Sequence, residues 1–238
     1  MKAAIIQSSF IPWKGYFDII HDVDIFVFLE DVQFTRRDWR NRNRIKTPGG
    51  VKWLSVPVWG GIDQQIWQTR INGREWADKL KKTIHYSYAS SPYYESYKDD
   101  IFSIFDPGCK TISELNIRAI GKISRLLGIW TKLIDSRDVW AFGRKDDKLI
   151  DICQRLGADE YLSGPSAQAY IRPEKFSEAD IRLSYKNYDG YPEYRQLWGG
   201  FEHYVSVIDL IFNCGEHSPE FIWGWREADR PKEMISCA

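Results

Sequence analysis

Residues 3–29 constrain the fold more than any other part of the chain. A short apolar run at 3–7 leads into a loop that contains Pro12, and the apolar spacing over 14–22 predicts a helix. Residues 24–29 are almost continuously β-branched or aromatic, which is typical of a parallel strand covered on both faces. A strand, a helix and a second strand in so short a stretch predict a βαβ unit with a right-handed crossover.

The same alternation of elements continues through the chain. Helices are predicted over 76–87, 93–105, 112–127 and 146–156, and strands over 51–58, 131–134 and 160–163. Ser113 is expected to cap the helix of 112–127, and Gly128 to end it.

These elements predict an α/β fold with a mainly parallel, doubly wound sheet of the nucleotide-binding type. We expect this core to span residues 1–172, with a basic loop inserted at 30–50. Residues 173–238 are expected to form a small, irregular, aromatic-rich extension packed on the same unit. Its one clear helix is predicted over 203–212.

Composition excludes several classes of function. Lys and Arg together number 33, as do Asp and Glu, so the formal net charge of the 238 residues is zero. This balance argues against DNA or anionic-membrane binding, both of which need a basic excess. No apolar stretch approaches the ~20 residues of a membrane span. The start of the chain lacks a signal-peptide pattern, so we expect a cytoplasmic protein.

Cysteine and histidine spacing predicts no metal site and no cofactor. The four cysteines form no C-x-x-C pair, and no histidine lies at ligand spacing from them. Cys214 and His217 are a poor nucleophilic pair, because the carboxyl end of a helix raises the pKa of a thiol. His85, which is followed by the aromatic segment 93–94, and Asp31, at the end of a predicted strand, are the candidates for a general base.

Polar loops follow three of the predicted strands, at the edge where open α/β sheets bind their ligands. Such loops are polar in many proteins, but three together favour a binding site for a phosphorylated or other polar molecule. The residues expected to contact it are Gln7, Trp13, Gly15, Gln33, Ser163 and Gly164.

The basic stretch 36–46 is the strongest local signal, with six cations among eleven residues. Guanidinium groups match phosphate oxygens, and Asn offers both a donor and an acceptor to a base or sugar. We expect a diphosphate to be held by Arg37, Arg42, Arg44 and Lys46, a base or sugar to be oriented by Asn43, and a stacking face to be offered by Trp39. A solvated charged face, paired with Asp31 and Asp38, and an RNA-binding surface are the alternatives.

Five blocks of the sequence resemble the WbqC-like family: 7–18, 24–34, 40–46, 156–164 and 206–213. The likeness covers nearly the whole chain. The resemblance implies a role in the synthesis of O-antigen and related polysaccharides. It also implies transfer of an aminoacyl group, glycyl in particular, to an amino sugar.

The leading hypothesis is therefore a transferase that passes an acyl or aminoacyl group to the amine of a nucleotide-linked amino sugar. One alternative is a non-catalytic protein that binds nucleotide sugars or acts as a scaffold. Another is a tRNA-dependent step, in which the basic stretch holds an aminoacyl-tRNA as donor.

Overall fold

The protein, in a computed structural model that describes residues 1–60 and 63–226, alternates strands with helices. Its strands within these residues are β1 (Lys2–Ile6), β2 (Ile25–Phe28), β3 (Arg42–Thr47), β4 (Gly50–Ser55), β5 (Val58–Trp59), β6 (Arg70–Ile71), β7 (Lys132–Asp135), β8 (Glu160–Ser163) and β9 (Arg182–Tyr185). Its helices are α1 (Lys14–His21), α2 (Trp76–Tyr88), α3 (Tyr94–Phe102), α4 (Ile112–Leu126), α5 (Ser136–Val139), α6 (Asp146–Leu156), α7 (Pro173–Glu178) and α8 (Val207–Cys214). Short 3-10 helices lie at Ile66–Gln68, Pro165–Ala169 and Gly215–Phe221.

Five parallel strands form the central sheet, in the order β7-β2-β1-β8-β9. From β1 the chain moves outward in one direction through β2 to β7. It then returns to the other side of β1 and moves outward through β8 to β9. The strand order thus reverses between β1 and β8, as in a doubly wound sheet. The predicted α/β fold is confirmed.

Two apolar layers cover this sheet because side chains alternate between its faces. Ala4, Phe26 and Phe28 point to one face, where they pack in the larger core with residues of α1 and α4. Ala3 and Val27 point to the other face and pack with residues of α6 and α7. Both faces are therefore buried, which explains the nearly continuous apolar runs of β1 and β2.

The basic stretch 36–46 was expected to belong to a loop, but about half of it forms the strand β3. β3 pairs with β4 as an antiparallel hairpin, in which Arg44 lies opposite Trp53 and Thr47 opposite Gly50. The predicted strand 51–58 is split in two: β4 ends at Ser55, and β5 pairs instead with β6. The high charge of residues 42–46 did not indicate a strand, although only Arg42 and Arg44 of β3 are partly exposed and its other four residues are buried.

Two predictions about helix starts are wrong. α4 is capped by Thr111, whose Oγ1 accepts a hydrogen bond from Glu114 N at 3.2 Å, and not by Ser113, which lies inside the helix. α8 begins at Val207 rather than at 203, because Ser206 is its N-cap. In both cases the residue that caps the helix is a Ser or Thr close to the position predicted from the sequence.

The sheet continues beyond residue 172, where we expected the α/β core to end. β9 pairs in parallel with β8 from Glu160 to Ser163, and α7 packs beside it. Residues after Arg226, the end of the expected C-terminal extension, lie outside the described part of the chain. Among the described residues, none of the helices combines the length and the apolar character needed to cross a membrane.

Candidate functional site

A cavity of about 970 Å³ opens at the carboxyl ends of β1 and β8. It lies where the strand order reverses, because the helices that follow the two strands leave on opposite faces and open a crevice. Ile5, Ile6 and Gln7 form its floor on the β1 side, and Ser163 and Gly164 line it on the β8 side. This volume is at the upper end of the range for small-molecule sites.

Half of the residues singled out in the sequence as ligand contacts meet in this cavity. Those that line it are Gln7, Trp13, Trp39, Asn43, Ser163 and Gly164. They come from three separate loops, from β3 and from the last residue of β8. The prediction that polar strand ends converge on one site therefore matches the geometry of β1 and β8.

Asn43 joins the basic segment to the loop that follows β1. Its Nδ2 donates to Phe10 O at 3.0 Å and to Ile11 O at 2.9 Å. Ile11 has a φ of 36°, an unusual value for a β-branched residue, so these two bonds hold a strained turn in place. Asn43 thereby shapes the wall of the cavity as well as lining it.

Trp13 forms an aromatic wall of the cavity at the start of α1. Its ring packs edge-on against Tyr188, with centroids 4.9 Å apart, and lies 5.5 Å from the ring of Tyr204. A Cβ at Gly15 would lie 2.3 Å from this ring, so only glycine allows the indole to lie over the first turn of the helix. Gly15 thus supports the ligand wall without being part of it.

Arg40 is a cation of the cavity that the sequence analysis did not single out. It is only 9% exposed, and its Nη1 donates to Ser8 O at 2.9 Å. Its buried Nε donates to no acceptor among the described residues, although Asp38 Oδ2 lies 4.0 Å away. Because Arg40 lines the cavity, its positive charge can attract an anion that enters there.

Lys145 and Lys148, at the start of α6, also line the cavity and were missed. Lys148 Nζ forms an ion pair with Asp31, whose other oxygen accepts a hydrogen bond from Ser136 Oγ at 2.7 Å. Burial alone would raise the pKa of Asp31, but the bonds from Lys148 and Ser136 outweigh it and hold this pKa below its usual value. The ion pair makes Asp31 a weak base and fixes the position of Lys148.

A buried polar network lies behind the loop that follows β1. The Glu30 carboxylate is fully buried and accepts a hydrogen bond from Ser8 N at 2.9 Å, while Glu30 N donates to Ser136 Oγ at 3.1 Å. Burial raises the pKa of Glu30, and hydrogen bonds from Ser113 and Ser8 only partly offset this. Ser136 therefore links Glu30 to the Asp31–Lys148 pair.

The other sequence-predicted contacts do not line the cavity. Gln33 pairs with Gln65 in an isolated bridge, and Arg37 lies on an exposed turn with a φ of 55°. Arg42 lies 4.2 Å from the Trp53 ring, and Lys46 is buried and donates to Gly200 O. Arg44 donates to Tyr204 O at 2.8 Å.

The second candidate base, His85, also lies outside the lining of the cavity. It is an exposed residue of α2, and its Nδ1 is 2.7 Å from the hydroxyl oxygen of Tyr94. In the sequence, His85 is followed by an aromatic segment, and it contacts Tyr94 of that segment. Neither His85 nor Tyr94 lines the cavity at the strand ends.

Asp18, His21 and Asp22 are a group whose ligand atoms lie within 4.8 Å of one another. Lys186 Nζ lies 2.9 Å from Asp18 Oδ1 and also pairs with Asp22. Arg226 forms a further ion pair with Asp18. These cations already balance the two carboxylates, so the group ties the chain after β9 to α1.

The cavity residues that the sequence analysis missed carry no distinctive local pattern. Lys145 and Lys148 precede or begin a helix, where a lysine is ordinary, and only the crossover from β7 to β8 brings them to the cavity. Arg40 differs from the other arginines of the basic stretch only in being buried. The one available signal for the lysines was their place after a predicted strand, at the same edge as the three polar loops.

Comparison with known proteins gives two matches. The model of the WbqC-like protein family matches residues 7–221 of the chain. The chain is also 42% identical, over 224 residues, to the uncharacterised protein Rv1507c of Mycobacterium tuberculosis; the matched region covers 93% of this chain and 97% of that protein. No solved structure matches the chain.

Proposed function

The chain belongs to the WbqC-like protein family, and from this premise and the cavity between β1 and β8 we propose that it is a transferase. Its substrate would be a nucleotide-linked amino sugar of surface-polysaccharide synthesis. The enzyme would pass an acyl or aminoacyl group to the amine of this sugar.

The observation that carries the proposal is the set of cations around the cavity. Arg40, Lys145 and Lys148 line one cavity in a chain whose overall formal charge is zero. Carboxylates partly offset them, since Asp31 pairs with Lys148 and Asp38 Oδ2 lies 4.0 Å from Arg40 Nε. The positive charges of Arg40, Lys145 and Lys148 nevertheless favour an anionic ligand, and a diphosphate supplies several acceptor oxygens at once.

The rest of the cavity supports a ligand with a sugar. Gln7 and Ser163 offer an amide and a hydroxyl group of the kind that bind sugar hydroxyls. Trp13, Tyr188 and Tyr204 offer ring faces against which a sugar can pack. The floor of Ile5 and Ile6 would keep water from the reacting groups.

The transfer itself needs no oxidant, reductant or metal. The amine nitrogen of the sugar attacks the carbonyl carbon of the donor, and a new nitrogen–carbon bond forms. The bond from that carbon to the donor's leaving group breaks, and the proton lost by the amine neutralises the leaving group. The protein would bind and orient the two reactants, which alone accounts for a large part of many rate enhancements.

Binding is tested by thermal shift and calorimetry with nucleoside-diphosphate amino sugars, each compared with its parent sugar. We expect Lys148→Gln to weaken binding of the nucleotide-linked sugar about tenfold or more, because a charged hydrogen bond to the ligand is lost. The matched control is Lys175→Gln. Lys175 also pairs with an aspartate, Asp147, but lies on α7 and does not line the cavity. Equal losses in both variants would contradict the proposed site.

Transfer is tested by mass spectrometry of the sugar after incubation with acyl thioesters, acyl adenylates or aminoacyl-tRNA. A mass increase equal to the acyl group supports the transferase. Loss of the product after ribonuclease treatment would assign the donor to RNA. Absence of a product with every donor class would contradict the transferase.

A non-catalytic binding protein is the second candidate, and one observation favours it. Neither residue proposed as a base is free for that role: Asp31 pairs with Lys148, and His85 contacts Tyr94 away from the cavity. This candidate predicts the same ligand affinity and the same effect of Lys148→Gln, with no product from any donor.

A further inference from the structure

Two tryptophans and two arginines contact one another at the outer face of the β3–β4 hairpin: Trp53, Arg42 and Arg44 belong to the hairpin, and Trp39 belongs to the turn before it. The rings of Trp39 and Trp53 lie with their centroids 5.3 Å apart and their planes at 39°. The Arg42 guanidinium carbon is 4.2 Å from the centroid of Trp53, and that of Arg44 is 5.9 Å from both rings. We refer to these four residues as the tryptophan face.

Strand alternation explains how this face arises from the basic segment. Arg44 lies directly opposite Trp53, and Asn43 lies opposite Leu54. Asn43 and Leu54 point inward and are buried, so Arg42, Arg44 and Trp53 point outward. Alternate residues of β3 therefore belong to two different surfaces. Asn43 lines the cavity, whereas Arg42 and Arg44 belong to the tryptophan face.

Both rings leave a large part of their surface open to solvent. Trp39 is 40% exposed and Trp53 is 42% exposed. Of the nearby carboxylates, Glu202 lies 3.9 Å from Arg44, and Asp38 accepts hydrogen bonds from Thr35 and the backbone of Trp39. Exposed indole rings beside guanidinium groups suit a ligand that combines a flat ring with a negative charge.

The tryptophan face is continuous with the cavity. Trp39 belongs to both surfaces, since its side chain also lines the cavity. Arg44 holds the backbone of Tyr204 through two bonds to its carbonyl oxygen, at 2.8 and 3.1 Å, and Tyr204 lines the cavity as well. A ligand can therefore extend from the cavity onto the hairpin without leaving the protein surface.

We propose that the tryptophan face stacks the nucleobase of the ligand, while Arg42 and Arg44 bind the phosphate nearest to the nucleoside. The ligand class is then a nucleoside diphosphate joined to a sugar, with its base on the hairpin and its sugar between β1 and β8. This inference rests on the proposed function, because it assigns the outer half of the same ligand. It adds Trp53 as a specificity-determining residue.

The chain offers a matched control for the stacking contact. Trp130 is exposed, and the guanidinium of Arg125 lies 4.8 Å from its ring centroid, so the pair copies the Arg42–Trp53 geometry. Neither residue lines the cavity. Replacing Trp130 removes the same side chain from the surface without touching the proposed site.

The experiment measures affinities of nucleoside monophosphates, nucleoside diphosphates, pyrophosphate and the intact nucleotide sugar by calorimetry. The proteins compared are wild type, Trp53→Ala, Trp53→Phe and Trp130→Ala, each checked for an unchanged melting temperature. We expect Trp53→Ala to weaken every nucleoside-containing probe about fivefold to a hundredfold, the range of a lost base-stacking contact. Trp53→Phe should restore most of the affinity, and pyrophosphate should bind the variants equally.

The outcomes separate this inference from the proposed function. Equal nucleotide affinities in Trp53→Ala, Trp130→Ala and wild type would overturn the tryptophan face, while binding of the nucleotide sugar would leave the proposed function standing. Monophosphate binding that depends on Trp53, with no binding of any nucleotide sugar, would support the tryptophan face and overturn the proposed function. Binding of oligoribonucleotides alone, without mononucleotides, would overturn the inference and favour an RNA surface.

Discussion

Lys14 is a buried cation at the first position of α1, only 3% exposed. Its Nζ donates to Pro192 O at 3.2 Å and faces the rings of Tyr191 and Tyr194 at 4.9 and 5.5 Å. Burial lowers the pKa of Lys14 to about 8, although the negative charge of Asp18 acts in the opposite direction. The folded protein therefore penalises the charged form of this lysine.

The burial of Lys14 predicts a change of stability with pH. Because its pKa is about 8 in the folded protein and has the ordinary lysine value of 10.5 in the unfolded chain, the penalty is complete below pH 8 and disappears as the pH rises to 10.5. We expect the free energy of unfolding of wild type, relative to Lys14→Met, to increase by up to about 3 kcal/mol over this window. Urea denaturation at pH 7, 8, 9 and 10 measures the difference, and a constant difference would contradict the shift.

At the scale of single residues, the sequence indicates which side chains lie at the ends of the strands. It does not indicate which side chains they contact. Gln7, Ser163 and Gly164 could be placed in the site because each follows a run that had to be a buried parallel strand. Asp31 also follows such a run, but its pairing with Lys148 depends on a helix that begins over a hundred residues later. No local pattern encodes an ion pair of that separation.

The β3–β4 hairpin is the element that joins the fold to the site. Its turn, from Thr47 to Gly50, is closed by Thr47 Oγ1, which donates to Gly50 O at 2.8 Å and accepts from Gly49 N at 3.2 Å. The Thr-Pro-Gly-Gly sequence is typical of a turn. The same sequence gives no sign that the charged residues before the turn form a strand. These residues alternate between buried and partly exposed positions only because the hairpin packs over the loop after β1.

The hairpin turn predicts different effects for its two glycines. Gly50 has a φ of +100°, and no atom lies within 4 Å of an added Cβ. Alanine at this position is therefore destabilised only by the unfavourable backbone conformation and not by a steric clash. We expect Gly50→Ala to lower the free energy of unfolding by about 1–2 kcal/mol. Gly49 lacks a positive φ, and its added Cβ would meet only Thr47 Oγ1 at 3.9 Å, so Gly49→Ala should be nearly neutral. Thermal or urea denaturation of both variants checks this, and equal losses would contradict it.

At the scale of the whole molecule, the segment after residue 172 is tied into the sheet and its core. It contributes β9 to the sheet, Lys186 to the ion pairs with Asp18 and Asp22, and Ile208 and Phe212 to the larger apolar core. The sequence indicated the class of fold through its alternating elements. It contained no sign of β9, since Arg182–Tyr185 is a short and partly polar edge strand.

These contacts predict the behaviour of a fragment that ends at residue 172. Without β9 and α8, the edge of β8 and a large part of the main core would be exposed to water. We expect the fragment 1–172 to lack a cooperative thermal transition and to be digested rapidly by protease, in contrast to the full chain. A cooperative transition in the fragment would show instead that the sheet is stable without its last strand.

The crevice between β1 and β8 has a consequence for engineering. One wall comes from the beginning of the chain and the other from residues after 144, so neither portion contains a complete site. Transplanting the N-terminal βαβ unit with its hairpin into another protein would carry over Gln7, Trp13 and Asn43 but leave them facing a foreign surface. A chimaera that is meant to inherit the ligand must exchange both portions together.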